Sequence, residues 1–146
     1  MTALFEHSPW VEARADARPA SGNRHHDLME VVYDATRDEK LALIRAHPEL
    51  AGKAAVDGSL TEASAAEQAS AGLDRLTPAE FERFHSLNAD YRERFDFPFV
   101  ICVRLTDKAG ILAAMERRLA HDRDTEIVTA IAEIGKIVLL RLEDQA

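Results

Sequence analysis

The chain has 146 residues, of which 47% are apolar, enough for one compact domain with a sizeable core and too many for a disordered protein. Its net charge of −8 argues against a nucleic-acid partner, and no apolar run approaches the roughly 20 residues of a membrane span. Cys102 is the only cysteine and the N-terminus does not resemble a signal peptide, so we expect a single domain over residues 1–146 in the cytoplasm.

Two short helices are predicted in the N-terminal part of the chain. Ser8-Pro9-Trp10 reads as an N-cap followed by a proline at the first helical position. Further on, the apolar residues Leu28, Val31, Val32 and Ala35 recur at helical spacing.

A histidine pair precedes the second of these helices. His25-His26-Asp27 has the residue types of a metal site, but no paired ligands follow at a metal-site spacing. We therefore interpret it as a solvated helix start and expect no metal site.

The third predicted helix covers DEKLALIRA and ends at a histidine. Its inward residues are Leu41, Leu43 and Ile44. Pro48 disfavours the α conformation at His47, so the helix should stop there. A histidine at a helix C-terminus suits proton transfer near neutral pH, since its ordinary pKa is about 6.5. The alternative is that His47 only caps the last carbonyl groups of its helix.

A fourth helix should carry Glu67 and Gln68 and end near Gly72, a plausible C-cap. Ser64-Ala65-Ala66-Glu67 fits the spacing of a capping box, which would place Glu67 at the helix start with a structural role. From the pattern alone this stretch suggests a site without establishing one.

The next helix has the clearest start signal in the chain. Thr77-Pro78-Ala79-Glu80 combines an N-cap, a first-position proline and a capping-box glutamate. Its predicted buried face consists of Phe81, Phe84, Leu87 and Tyr91.

The run FDFPFVICVRL at residues 95–105 is the most apolar part of the chain. Its aromatic and β-branched content is typical of a strand, but it lies among helices without an obvious pairing partner. We expect an extended buried segment, with Cys102 as a small core residue rather than a nucleophile.

Two more helices should complete the fold, capped by Asp107 and Asp124. On the last one, Ile127, Ile131, Ile134 and Val138 point inward, and Arg141 continues the same stripe. A guanidinium there must reach solvent, meet a carboxylate or face a polar pocket. Glu133 is expected on the opposite, solvated side. The predicted fold class is all-α.

Four blocks of the sequence resemble one enzyme family. They are HPELAGK, LTEASAAEQASAGLDRLTPAEFERFHSLNADYRERF, FPFVICVR and EIGKIVLLRL, which lie in register over residues 41 to 142. The chain is similar to the 2-oxo-4-hydroxy-4-carboxy-5-ureidoimidazoline (OHCU) decarboxylases of urate breakdown. The resemblance implies an all-helical homodimer that uses no metal or organic cofactor and converts OHCU to (S)-allantoin and CO2. It also implies functional coupling to urate oxidase and hydroxyisourate hydrolase.

The resemblance also implies a set of site residues. The catalytic group would be His47, Glu67 and Arg141, with His47 as general acid or base. The substrate would contact Pro48, Ser64, Ala65, Ala66, Gln68, Phe99, Val100, Ile101, Cys102 and Val103, with the last five partly through their backbone. Gln68 suits a ureido group because it both donates and accepts hydrogen bonds.

The chemistry of the reaction agrees with these residue types. Loss of CO2 leaves a carbanion beside a C=N bond, whose nitrogen can take up the charge without a cofactor. Glu67 would orient the imidazole or accept from substrate N–H groups. Tight binding of the departing carboxylate by Arg141 would stabilise the ground state, so we expect Arg141 to hold a carbonyl or an anionic nitrogen.

Two other classes of function remain open at this point. The chain would be a non-catalytic helical interaction module if His47 and Glu67 were only helix caps. A different ring-opening or hydrolytic enzyme on a related scaffold is the other alternative.

Overall fold

The computed structural model describes residues 4–5, 7–51 and 60–145, and these contain α-helices, one 3-10 turn and no β-strand. The helices are α1 (Trp10–Asp16), α2 (Arg24–Asp34), α3 (Arg37–Arg45), α4 (Glu62–Ser70), α5 (Pro78–Phe95), α6 (Lys108–Arg118) and α7 (Arg123–Gln145), with the 3-10 turn at Val103–Leu105. The all-α prediction is confirmed. None of the described helices is long and apolar enough to cross a membrane.

The last helix, α7, packs against both α2 and α3. Its predicted stripe is buried, with Ile127, Ile131, Ile134 and Val138 all in one hydrophobic core. Gly135 brings α2 close, because a Cβ at that position would lie only 3.2 Å from Met29 Cε. That residues 1–146 form a single domain stays a prediction, which this shared core supports.

The histidine pair lies at the start of α2, but His25 is not solvated as predicted. Asn23 caps the helix by accepting from the His26 N–H. His25 is half-buried, and its Nε2 lies 2.9 Å from the carbonyl oxygen of Gly135 on α7. Because its ring nitrogen can donate to a backbone carbonyl, His25 lies in the contact between α2 and α7.

The start of α5 follows its sequence signal closely. Thr77 and Glu80 form both hydrogen bonds of the capping box, and Pro78 is the first helical residue. Phe84, Leu87 and Tyr91 are buried, whereas Phe81 is 39% exposed. The prediction for Phe81 was wrong because its ring stacks on His85 at the protein surface.

The cap of α7 is Asp122 rather than the predicted Asp124. Asp122 Oδ1 accepts from the Thr125 N–H at 2.7 Å, while Asp124 forms an exposed ion pair with Arg37. Two acidic residues two positions apart both have the right residue type, so the sequence did not separate them.

At the other end of the chain, α1 begins at Trp10 with no side-chain cap, so the predicted Ser8 cap is wrong as well.

Candidate functional site

A cleft of about 460 Å³, including its open mouth, lies where the end of α3, one face of α4, residues 99–104 and the last turns of α7 meet. Its lining is His47, Pro48, Leu50, Ser64, Glu67, Gln68, Phe99, Val100, Ile101, Cys102, Val103, Arg104, Ile137 and Arg141. Residues that are far apart in the sequence therefore share one concave surface, a common feature of small-molecule sites.

Eleven of the thirteen site residues expected from the resemblance lie in this cleft, and Ala65 and Ala66 do not. The reason is the period of α4, which puts positions 64, 67 and 68 on one face and positions 65 and 66 on the other. Both alanines are exposed, and Ala66 lines a neighbouring groove instead. Leu50, Arg104 and Ile137 line the cleft without having been predicted.

His47 combines the two roles that the sequence left as alternatives. The helix α3 ends at Arg45, and the His47 Nδ1 lies 3.0 Å from the Leu43 carbonyl oxygen one turn back. The capping contact is therefore present, but the same ring also lines the cleft. Because a carbonyl only accepts, Nδ1 must carry a proton, and neutral His47 has its basic lone pair on Nε2.

Glu67 does not lie at a helix start. Thr61 caps α4 by accepting from the Ser64 N–H, so the predicted capping box of Ser64 and Glu67 is wrong. Ser64 is a good capping residue and stands three positions before a glutamate, so the pattern predicted a helix start there. Thr61, another good capping residue, stands three positions earlier and caps the helix instead. Glu67 lies in the second turn of α4, with its side chain directed to the cleft.

Arg141 forms an ion pair with Glu67. Arg141 Nε and Nη2 donate to the two carboxylate oxygens at 2.8 and 2.7 Å, and Nη1 donates to the Leu4 carbonyl at 3.2 Å. The guanidinium is almost completely buried, with 5% of its side chain exposed. The predicted inward orientation of Arg141 is confirmed by this burial, and its ion-pair partner lies 74 positions away in the chain.

Gln68 shapes the segment that follows His47 and Pro48. Its Oε1 accepts from the Ala51 N–H at 3.0 Å, and Asn88 donates to the neighbouring Leu50 carbonyl at 2.8 Å. Ala51 has a positive φ of 53°, a conformation that non-glycine residues adopt rarely. These two buried amides therefore stabilise a turn that places Pro48 and Leu50 at the cleft.

Residues 99–102 form the opposite wall as a segment without regular secondary structure, as expected from the isolated apolar run. Cys102 is buried, and burial together with the nearby Glu133 and Glu67 carboxylates raises the pKa of its thiol. A protonated thiol is a poor nucleophile, which agrees with the predicted packing role of Cys102.

Three buried charged side chains near this wall were missed: Arg118, Glu126 and Glu133. Glu133 is not on a solvated face as predicted, because its Oε1 accepts from the Cys102 N–H. A signal was present in the sequence, since Glu126, Glu133 and Arg141 follow one another at seven and eight positions and so lie on neighbouring faces of α7. The sequence analysis recognised Arg141 on this side of the helix but assigned Glu133 to solvent, because charged residues usually lie at the surface.

The comparisons with known proteins agree with this geometry. The family model of OHCU decarboxylase matches residues 1–143. The chain belongs to the OHCU decarboxylase family. It is 45% identical to the 2-oxo-4-hydroxy-4-carboxy-5-ureidoimidazoline decarboxylase of Haloferax volcanii, covering 97% of this chain and 84% of the relative. The mouse enzyme of the same name is 38% identical, with 97% and 81% covered.

Solved structures show the same fold. A crystal structure of (S)-allantoin synthase superposes with a TM-score of 0.70 at 30% identity, covering 97% of this chain and 46% of that one. A structure of OHCU decarboxylase in the presence of (S)-allantoin gives a TM-score of 0.76 at 19% identity, with 94% and 91% covered. The Bacillus subtilis uric acid degradation bifunctional protein PucL is 38% identical over 97% of this chain, which corresponds to 28% of that larger protein.

Proposed function

We propose that this chain decarboxylates OHCU to (S)-allantoin and CO2 in urate breakdown. The observation that carries the proposal is the cleft of a family member in which His47, Glu67, Gln68 and Arg141 converge from three separate segments. Decarboxylation followed by stereospecific protonation requires an acid–base group in a fixed conformation and polar groups that orient the substrate. The cleft offers an imidazole, a guanidinium and an amide for these roles.

His47 is the proposed acid–base group at the substrate carbon that bears the hydroxyl. The Leu43 carbonyl holds the imidazole through Nδ1, which makes Nε2 the nitrogen that exchanges a proton. Pro48 follows directly and restricts the backbone of His47. After loss of CO2 the hydroxyl-bearing carbon becomes a carbonyl, and the new C–H bond forms at the neighbouring carbon that bears the ureido group. A ring fixed in both respects can deliver the proton to a single face of that carbon, which accounts for one enantiomer.

The Glu67–Arg141 pair is not proposed to bind the departing carboxylate of the substrate. Both carboxylate oxygens of Glu67 accept from Arg141, so the pair is close to neutral and fixed in the plane of the guanidinium. Such a pair suits a carbonyl or a nitrogen on which charge develops during the reaction. It would hold the departing carboxylate of the substrate only weakly, and this favours release of CO2.

Four further properties belong to the proposal. The substrate's own C=N bond takes up the charge, so we propose that no metal or organic cofactor takes part. We also propose a homodimer in the cytoplasm, on the family resemblance and the single buried cysteine. Functional coupling to the upstream enzymes is proposed because the similar protein PucL is a uric acid degradation bifunctional protein.

One observation favours a non-catalytic alternative. The contact between His47 and Leu43 is the one expected of a histidine that only caps its helix. The same ring would then contribute to stability and not to chemistry, and the chain would serve as a helical interaction module.

The two functions are separated by a coupled assay. Urate oxidase and hydroxyisourate hydrolase generate the unstable OHCU from urate in the cuvette, and circular dichroism follows the chirality of allantoin. Addition of this protein should speed the loss of OHCU and produce (S)-allantoin in excess. Racemic allantoin that forms at the uncatalysed rate would refute the decarboxylase function.

A further inference from the structure

The cleft wall at residues 99–102 has no neighbouring strand in the described part of the chain, although it is buried. Val100 and Cys102 are 3% and 2% exposed. Buried backbone groups need hydrogen-bond partners, which a sheet would normally supply. In this wall two charged side chains, Arg118 and Glu133, form hydrogen bonds with backbone groups instead.

Arg118 on α6 and Glu133 on α7 bind the wall at positions two residues apart. Arg118 Nη1 donates to the Val100 carbonyl at 2.8 Å, and Glu133 Oε1 accepts from the Cys102 N–H at 3.0 Å. Both side chains are buried, and neither of them lines the cleft. Their contacts therefore reach the wall from outside the substrate side.

The two contacts determine the direction of both polar backbone groups of Ile101. The Val100 carbonyl shares a planar trans peptide with the Ile101 N–H, and the Cys102 N–H shares the next one with the Ile101 carbonyl. In a trans peptide the N–H and C=O point in opposite directions. Consequently both groups of Ile101 point away from Arg118 and Glu133. No described residue forms a backbone hydrogen bond with either group.

We propose that Arg118 and Glu133 are positioning residues that present the Ile101 N–H and C=O to the substrate as a donor–acceptor pair. The ligand group that fits is an amide edge with adjacent C=O and N–H, as in a ureido group or a ring urea. Two antiparallel strand residues exchange hydrogen bonds in the same way. Contact of this segment's backbone with the substrate was already expected from the family resemblance. The inference rests on the proposed function and adds which side chains orient that backbone and which group of the substrate it binds.

The positioning residues are themselves held by charged or aromatic partners. Arg118 Nε donates to Glu126 at 2.8 Å, and its guanidinium lies 4.3 Å from the centroid of the Phe99 ring. Glu133 is paired with Lys136. Charge-assisted hydrogen bonds are stronger and more directional than neutral ones, so the wall peptides are fixed in orientation before the substrate binds.

A purely structural role makes a different prediction. If Arg118 and Glu133 only satisfy buried backbone groups, their loss lowers stability without altering how Ile101 meets a ligand. The decisive readout is therefore the Ile101 amide, followed separately from stability.

The first test uses the unaltered protein labelled with 15N-isoleucine, which gives one amide signal for each of the seven isoleucines. An Ile101→Val variant identifies the Ile101 signal by its disappearance. Titration with (S)-allantoin should shift the Ile101 signal more than the other six. An Ile101 signal that stays in place at the highest concentration of (S)-allantoin overturns the inference.

The second test compares Glu133→Gln with Glu133→Met. Both changes remove the charge and the pairing with Lys136, but only Gln keeps an oxygen that accepts from the Cys102 N–H. We expect kcat/KM per folded molecule to fall roughly 10- to 100-fold in the Met variant, because a misplacement of about 1 Å can cost up to about 100-fold in catalysis. Glu133→Gln should retain most of the rate, because its amide oxygen still accepts from the Cys102 N–H.

The outcomes separate the inference from the proposed function. Equal losses in the Gln and Met variants, or a Met variant with an unchanged rate, would overturn the positioning role in an enzyme that still decarboxylates OHCU. An unaltered protein without decarboxylase activity would refute the function itself. If Glu133→Met does not fold, the Ile101 signal is compared between the unaltered protein and Glu133→Gln, and a signal that (S)-allantoin leaves in place in the unaltered protein still overturns the inference.

Discussion

At the scale of single residues, the cleft depends on polar side chains that are each held by a backbone or charged partner. His47 is held by a carbonyl of its own helix, and Arg141 is held by Glu67. A group that is fixed in this way loses little freedom when the substrate binds. Stability and activity are therefore linked at these positions, so both must be measured for each substitution.

His47→Asn separates proton transfer from capping. The Asn amide can still donate to a nearby carbonyl, so we expect the melting temperature to change little. Turnover should fall by roughly 10²- to 10⁴-fold, the usual contribution of general acid–base catalysis. The coupled assay and a thermal melt check this, with His26→Asn on the exposed side of α2 as the matched control.

The opposite result would favour the interaction module. That result is a His47→Asn protein that melts much earlier but keeps its activity per folded molecule. The ring would then serve the helix end and not the chemistry.

Arg141→Met should both destabilise the protein and abolish turnover. The substitution leaves the Glu67 carboxylate without its partner in a largely buried site, a change that typically costs about 3–5 kcal/mol. Adding Glu67→Gln should restore part of that loss in urea unfolding, because the remaining buried charge is removed. Turnover should stay low in both variants.

The control for Arg141→Met is Arg37→Met, which makes the same chemical change at the exposed ion pair with Asp124. Exposed pairs contribute about 0–1 kcal/mol, so this variant should unfold close to the unaltered protein. An Arg141→Met protein that is as stable as the unaltered one would show that the contact with Glu67 carries little energy.

At the scale of elements, α4 and α7 determine which side chains meet. The period of α4 brings Glu67 and Gln68 to the cleft and turns Ala65 and Ala66 away from it. The length of α7 lets one helix contribute Glu133 to the wall and, two turns later, Arg141 to the cleft. Anything that shifts the start or register of α7 should therefore affect stability and site together.

The start of α7 can be tested through its two neighbouring aspartates. The Thr125 backbone N–H is the main cause of the lowered pKa of Asp122, because it binds the ionised carboxylate. Asp122→Ala should therefore lower the urea midpoint at neutral pH more than Asp124→Ala does. Thermal and urea melts of the two variants check the assignment.

The same pair predicts a dependence on pH with a definite sign. A pKa that is lower in the folded protein contributes stability above the pKa of the unfolded chain, and this stability is lost as the pH falls through the folded value. The difference between unaltered protein and Asp122→Ala should shrink as the pH falls below about 4. A difference that stays constant down to pH 2 would contradict the cap.

At the scale of the whole molecule, the helices bring an acid–base group, an ion pair and a backbone wall to one cleft around a single core. We expect that treatment with a metal chelator leaves the rate of decarboxylation unchanged, because the C=N bond of the substrate takes up the developing charge. The coupled assay with a chelator-treated sample, whose two upstream enzymes are treated identically, checks this. A rate that falls and is restored by a divalent metal would contradict it.

The sequence by itself determined the helical elements and several of their ends, although the caps predicted at Ser8, Ser64 and Asp124 were wrong. Pro48 stops α3, Thr77 and Glu80 start α5, and Gly72 follows the end of α4 with a φ of 82°. These are local interactions between residues a few positions apart, so the residue types alone are enough to predict them. The family resemblance then supplied the site positions, including Arg141.

Only the tertiary structure decided which partners these residues have. Periodicity showed that Arg141 points inward, but its partner Glu67 lies on another helix, and nothing in the sequence paired the two side chains. Glu133 was assigned to solvent because a charged residue usually lies there, although it binds the Cys102 backbone. A buried charge is tolerated only where a partner from elsewhere in the chain reaches it, and the position of that partner depends on how the helices pack.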